Sequence, residues 1–167
     1  FNAYQEGFYN DLVYPFHGIK IDNNIRGNTD LEKLSKLSPA FDKKHGTITA
    51  GNSSPTTDGS AAVFLSSEEY ALKNGYEILA YLTFAEDAAV DYKNKEGLLM
   101  APAYAIPRML ERANLTFQDF DFYEIHEAFA AQVLCTLKAL NDPKFCKEKL
   151  KIDKPLGTID LNKLNVK

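Results

Sequence analysis

Apolar positions near residue 130 recur with a helical period: Phe129, Val133, Leu137 and Leu140 lie four, four and three apart, with Ala130, Ala131 and Leu134 beside them. The pattern predicts a helix from about Glu127 to Leu140. So few of its positions are polar that burial nearly all round is expected. Immediately before it, Phe120–Ile125 reads as a strand, and a polar corner follows at His126. A helix N-terminus presents free N–H groups and a partial positive charge to whatever lies in front of it. A histidine there is either a structural cap or part of a site.

Upstream, the apolar run Ala61–Leu65 and the aromatic, branched run Tyr76–Phe84 are predicted strands. Between them, Ser66-Ser67-Glu68-Glu69 supplies a cap and an acidic first turn for a helix to about Lys73, closed by Asn74–Gly75. Ala103, Ile106, Leu110 and Ala113 predict a helix over Met100–Asn114, with Pro107 early enough to bend rather than end it. Thr29 and Glu32 read as the capping box of a short helix that carries Leu31, Leu34 and Leu37. Leu12–Phe16 looks extended, a short helix is expected at Pro143–Lys151, and residues 152–167 predict no element. Strand, helix, strand, helix from Ala61 to Asn141 predicts an α/β sheet with helical crossovers.

Composition narrows the classes. The 167 residues are 45% hydrophobic and 25% charged, the balance of a globular domain with a sizeable core. A net charge of −4 gives no electrostatic footprint for nucleic acid. No apolar run approaches the roughly 20 residues that span a bilayer. The chain begins with Phe1 and not Met, so its N-terminus is not read for targeting; secretion is not expected. His17, His45 and His126 do not recur at ligand spacing, and no metal is expected. Cys135 falls in the apolar helix as a small hydrophobe. Cys146, between Lys144 and Lys147, reads as a surface thiol whose pKa the lysines could lower.

Phe41–Ala62 is the other unusual stretch. From Gly46 onward small and hydroxyl-bearing residues dominate, GTITAGNSSPTTDGSAA. It is either a long surface loop or a place where a ligand approaches the backbone closely, because little side chain stands in the way.

Taken together, Gly46–Ala62, preceded by Phe41-Asp42-Lys43, and His126-Glu127-Ala128-Phe129-Ala130 resemble the thiolase family. Most thiolases have Asn where this chain has His126. The His-Glu-Ala-Phe form is similar to the β-subunit of the fatty-acid β-oxidation complex and to related 3-ketoacyl-CoA thiolases. The chain departs from the family pattern at Pro55, where Gly is common, and at Thr57, where Asn is common.

The resemblance implies a layered α/β/α/β/α fold, here in part. Residues 1–59 would be the end of a loop domain carrying the CoA-binding loop. Residues 60–75 would be the last strand and helix of the N-terminal half, and 76–167 the first part of the C-terminal half. It implies an acyltransferase of fatty-acid β-oxidation that cleaves 3-ketoacyl-CoA with CoA and releases acetyl-CoA. The alternatives are a biosynthetic acetoacetyl-CoA thiolase and a non-catalytic, thiolase-like lipid-binding protein.

Residue by residue, His126 matches the family's oxyanion-hole Asn, where a neutral donor meets developing enolate charge. Ala50 and Ser54 match positions beside the pantetheine arm of CoA, Phe41 an aromatic near the nucleotide, and Ala128 a position beside the catalytic pocket. The family's two catalytic cysteines and its Gly-His-Pro histidine have no counterpart in these residues, and neither Cys135 nor Cys146 aligns with them. This polypeptide alone is therefore expected to be inactive.

No permanently bound cofactor is implied; CoA and acyl-CoA are substrates. The implied partners are a second copy of the chain, as a homodimer or higher homo-oligomer, and a hydratase/dehydrogenase α-subunit. Membrane association stays open. The implied compartment is the cytoplasm in a bacterium and the mitochondrial matrix in a eukaryote.

Overall fold

The computed structural model describes residues 1–166. Among them six α-helical segments follow in order: α1 Asn2–Gln5, α2 Leu31–Ser35, α3 Glu68–Lys73, α4 Ala101–Ala113, α5 Ala130–Asn141 and α6 Pro143–Phe145. The core forms where α4 and α5 meet. Ala103 and Leu110 of α4 and Ala139 and Leu140 of α5 are buried with Phe117 and Ile159. The helical period predicted the α4 face and Leu140 of α5, and burial of apolar surface at about 25 cal/mol per Å² is what holds the junction together. Pro107 lies inside α4 without ending it, and its ring is buried. Asn114 closes the helix in the left-handed region at φ 53°, a conformation asparagine tolerates better than most side chains.

The caps follow local chemistry. The Ser67 side chain accepts from the Tyr70 N–H at 3.2 Å and starts α3 as expected. At α2 the cap is Asp30, not Thr29: its carboxylate accepts from the Lys33 N–H at 2.8 Å. Asp30 wins because a carboxylate at the N-cap also meets the positive end of the helix. A reciprocal capping box occurs instead at Thr116–Asp119, before the 3₁₀ turn Phe117–Asp119.

The predicted strands behave differently. No ladder forms among the described residues; the pairings are isolated bridges, Phe16–Ile19, Ser53–Phe129 and Tyr123–Leu164. Residues 61–65 and 76–84 contain no helix or ladder and leave Phe64 74% and Leu79 86% exposed. Alternation and branching specify an extended backbone, whereas a ladder needs a neighbouring strand. Side chains anchor the end of this run instead. Arg108 donates to the Asp87 carbonyl at 2.6 Å, and Arg112 donates to the Ala85 carbonyl at 3.2 Å and to the Glu86 carboxylate. Leu12–Phe16 is only partly extended, because turns run through residue 12.

Two further expectations are corrected. α5 is not buried all round: Val133, Thr136, Ala139 and Leu140 face the core, but Leu134 is 65% exposed and Cys135 is exposed. The two cysteines exchange their predicted roles. Cys146 is fully buried in the π-helical turn Cys146–Leu150, with its Sγ 3.4 Å from the Leu140 carbonyl, and burial pushes its thiol pKa up. Lys144 and Lys147 are exposed, whereas the helical turn faces Cys146 inward. Lys167, the last residue of the predicted C-terminal unit, lies outside the described residues.

Candidate functional site

The small-residue loop is knitted by its own side chains. The Asn52 amide accepts from the Thr49 N–H at 2.8 Å and donates to the Thr47 carbonyl at 2.9 Å. The Ser53 hydroxyl donates to the Thr49 carbonyl at 2.8 Å, and the Gly51 N–H donates to the Thr49 hydroxyl at 3.1 Å. Hydroxyl and amide side chains of this kind replace a ladder with local turns, which is why the segment holds its shape without a hydrophobic interior. Gly46 donates to the Asp42 carbonyl at 2.9 Å, and a Cβ at this position would collide with that carbonyl oxygen.

This loop then grips the His126 corner. The Ser54 N–H donates to the Ala128 carbonyl at 2.9 Å, and the Ser54 hydroxyl donates to the Glu127 carbonyl at 2.9 Å. The Ala130 N–H donates to the Asn52 carbonyl at 3.0 Å. These bonds keep residues 127–129 out of the helix, so α5 begins at Ala130 and not near Glu127. Phe129 is its N-cap and makes no side-chain cap bond. His126 is therefore no helix cap. It stands on an exposed corner before the helix, with one free N–H of α5 already taken by the loop.

The two motifs, separated by more than seventy residues (|i−j| of 73 for Ser54 and Glu127), thus make one surface. A cavity of about 560 Å³ opens there, lined by Ser54, Glu124, Ile125, His126, Glu127 and Asn165. Of the sequence-predicted residues, His126 and Ser54 line it, and the Ala128 carbonyl forms part of the clasp behind it. Phe41 stands beside it through an edge-on ring contact with Phe129, centroids 6.4 Å apart, and keeps 74% of its surface exposed. Ala50 is exposed on the adjoining turn and does not line the cavity.

Asn165 is the lining residue that sequence reasoning missed. It sits in a stretch that predicted no element; the parallel bridge of Leu164 to Tyr123 and the Lys163 bond to the Phe120 carbonyl bring it to the corner. A second cavity, about 400 Å³, lies between α4 and residues 149–156. It collects apolar Leu110, Leu150 and Leu156 with Arg108 and Lys149, whose charges are paired with Glu86 and Glu96, and none of the predicted site residues. Among the described residues no cluster of His, Cys, Asp and Glu could hold a metal ion.

Comparison with known proteins shows the family of the chain. Residues 2–69 match the model of the thiolase N-terminal domain and residues 76–167 that of the thiolase C-terminal domain. A probable 3-ketoacyl-CoA thiolase of Caenorhabditis elegans is 48% identical over 98% of this chain and 37% of its own length. A 3-ketoacyl-CoA thiolase of Shewanella loihica is 47% identical over 87% of this chain and 33% of its own. The chain thus spans about a third of the length of these curated relatives. Among solved structures, the dimeric peroxisomal thiolase of Saccharomyces cerevisiae superposes with a TM-score of 0.74 at 36% identity, over 98% of this chain and 38% of that one. Human mitochondrial 3-ketoacyl-CoA thiolase in complex with CoA gives 0.74 at 30% identity, over 99% and 37%.

Proposed function

This chain belongs to the thiolase family and carries part of the thiolase α/β fold, and we propose that the whole protein is a degradative 3-ketoacyl-CoA thiolase. It would transfer the acyl group of a 3-ketoacyl-CoA to free CoA and release acetyl-CoA. One observation carries the reading: Ser54, from the small-residue loop, is hydrogen-bonded to the backbone at Glu127 and Ala128 and shares a cavity with His126. A loop that admits the CoA arm and a corner that offers a donor to a thioester oxygen are what this chemistry requires side by side. The likeness to curated 3-ketoacyl-CoA thiolases supports the degradative direction over the biosynthetic one.

In this reading His126 donates to the thioester oxygen as enolate charge develops. Ser54 and Ala50 flank the pantetheine arm, Phe41 the nucleotide and Ala128 the reacting group. Neither cysteine here acts as nucleophile: Cys146 is buried with its pKa raised, and Cys135 lies on the outer face of α5. The nucleophile comes from the rest of the protein, and the 167-residue polypeptide alone turns over no substrate. Residues 1–59, 60–75 and 76–167 are assigned to the loop domain, the end of the N-terminal half and the start of the C-terminal half. The whole protein works as a homodimer or larger homo-oligomer, with a hydratase/dehydrogenase subunit as its further partner. Its place is the bacterial cytoplasm or the mitochondrial matrix.

The test is steady-state thiolysis by the whole protein. His126→Ala should lower kcat by about 10²–10³ with a smaller change in KM, because an oxyanion donor acts chiefly in the transition state. His126→Asn should keep most of the activity, since an amide also donates. Unchanged kcat in a folded His126→Ala variant would remove His126 from the chemistry.

A further inference from the structure

The corner that presents His126 is held from behind by one side chain. The Asn165 amide accepts from the Ile125 N–H at 2.8 Å and donates to the Ile125 carbonyl at 2.9 Å. The same amide nitrogen donates to the Glu127 carboxylate at 2.6 Å. Ile125 has both of its backbone groups gripped, and its carbonyl belongs to the peptide bond that leads into His126. An amide side chain is suited to this, because it offers a donor and an acceptor at once and so imitates the next residue of a missing ladder.

The platform beneath Asn165 is itself fixed. The 3₁₀ turn Leu161–Lys163 is capped by Asp160, and the Lys163 ammonium donates to the Phe120 carbonyl at 2.8 Å. The Tyr123 N–H donates to the Lys163 carbonyl, and the Asn165 N–H to the Tyr123 carbonyl, both at 2.9 Å. Asn165 adopts φ 49°, in the left-handed region that asparagine enters more readily than most residues. That turn aims its amide back at Ile125. On the other side of His126, the Ser54 hydroxyl fixes the Glu127 carbonyl.

We propose that Asn165 is a positioning residue for the thiolase reaction: it locks the peptide bond entering His126 and the Glu127 carboxylate, and so sets where the His126 ring stands in the cavity. The inference rests on the proposed role of His126. It assigns Asn165 no contact with substrate. A charge-assisted bond to Glu127 adds rigidity that a neutral pair would not.

A double-mutant cycle in the whole protein tests it. Asn165→Gly keeps the left-handed backbone and removes only the amide. It should lower kcat by about 10–100-fold with KM moved by less than about 3-fold, the effect of misplacing a catalytic group by roughly an ångström. In a His126→Ala background the same change should cost less than about 3-fold, since the group it positions is gone. Asn165→Asp keeps the acceptor for Ile125 but faces Glu127 with a like charge. Adding Glu127→Gln, which offers a donor to that aspartate, should recover at least about 5-fold in kcat by removing the repulsion.

Normal kcat in Asn165→Gly beside an impaired His126→Ala would overturn the positioning role and leave the His126 reading standing. Equal losses with and without His126 would make Asn165 merely structural and overturn it as well. An unimpaired His126→Ala would take away both readings. If Asn165→Gly does not fold, the aspartate pair decides, and no recovery on adding Glu127→Gln counts against the proposal.

Discussion

Replacing Asn52 by alanine should weaken CoA binding without touching CoA. The Asn52 side chain makes one hydrogen bond as acceptor, from the Thr49 N–H, and one as donor, to the Thr47 carbonyl. Each such bond contributes about 0.5–1.5 kcal/mol net. Both lie at exposed positions, so the lower half of the range applies and the pair is worth about 1–2 kcal/mol. The turn they close carries Ser53 and Ser54 to the His126 corner. The loop is largely exposed, and what holds it besides is the pair of Ser53 and Gly51 bonds to Thr49, the Ser54 clasp on residues 127–128, the Ala130 bond to the Asn52 carbonyl, and the side chains of Leu34 and Leu37 beside Gly51. With those bonds left in place, the lost energy sets the most that can pass to the population that can bind. The dissociation constant for CoA should therefore rise, by about 30-fold at most, since 1.4 kcal/mol is a factor of about ten. Isothermal titration of CoA into the whole protein measures it. Faster cleavage of residues 46–54 in limited proteolysis should accompany the change. Asn52→Asp, which keeps the acceptor and loses the donor, should fall between. If proteolysis accelerates and CoA affinity stays put, the loop is ordered for some purpose other than CoA, and the reasoning fails.

Other outcomes follow from the core and the charges. Leu140→Ala, at a residue 1% exposed, should cost about 3–5 kcal/mol in urea unfolding of the whole protein, and a loss under about 1 kcal/mol would mean the α4–α5 junction is not the core. The Tyr104 hydroxyl donates to Glu96 at 2.6 Å, and burial first, then that bond, pushes its pKa up to about 12. A folded-state value above the unfolded one of about 10 stabilises fully below about pH 10, and the stabilisation is lost as pH rises towards about 12. Wild type should thus lose about 1–2 kcal/mol more than Tyr104→Phe between about pH 9 and 11.5, after allowance for partial exposure; parallel stability curves would discard the pairing. Glu96 itself is held below the usual carboxylate range, first by Lys149 and then by Tyr104. Its contribution is present above the ordinary carboxylate range and fades as the pH falls through its own lowered pKa, so Glu96→Gln should flatten the acid limb of the same curve.

The sequence by itself determined the apolar face of α4 and the core of α5 and made two unusual motifs visible. The helical period of Ala103, Ile106 and Leu110 and of Val133, Leu137 and Leu140 is a local property, and so is the Ser67 cap; each forms where the residues dictate. The motif at His126 and the small-residue loop were legible for the same reason, as short runs of unusual composition. What the sequence could not carry was who meets whom. The start of α5 moved to Ala130 because Asn52 and Ser54, far upstream, pair with residues 127–130. Cys146 went inside and Cys135 outside because burial depends on the direction in which a helical turn faces the core, and the charge of the neighbours does not decide it. The strand-like runs 61–65 and 76–84 form no ladder, since a strand is completed only by another one. Asn165 entered the site through hydrogen bonds reaching across |i−j| of 40, a distance no local pattern encodes. Side-chain amides and backbone pairing across the chain, set only by the tertiary fold, turned two separate motifs into one cavity.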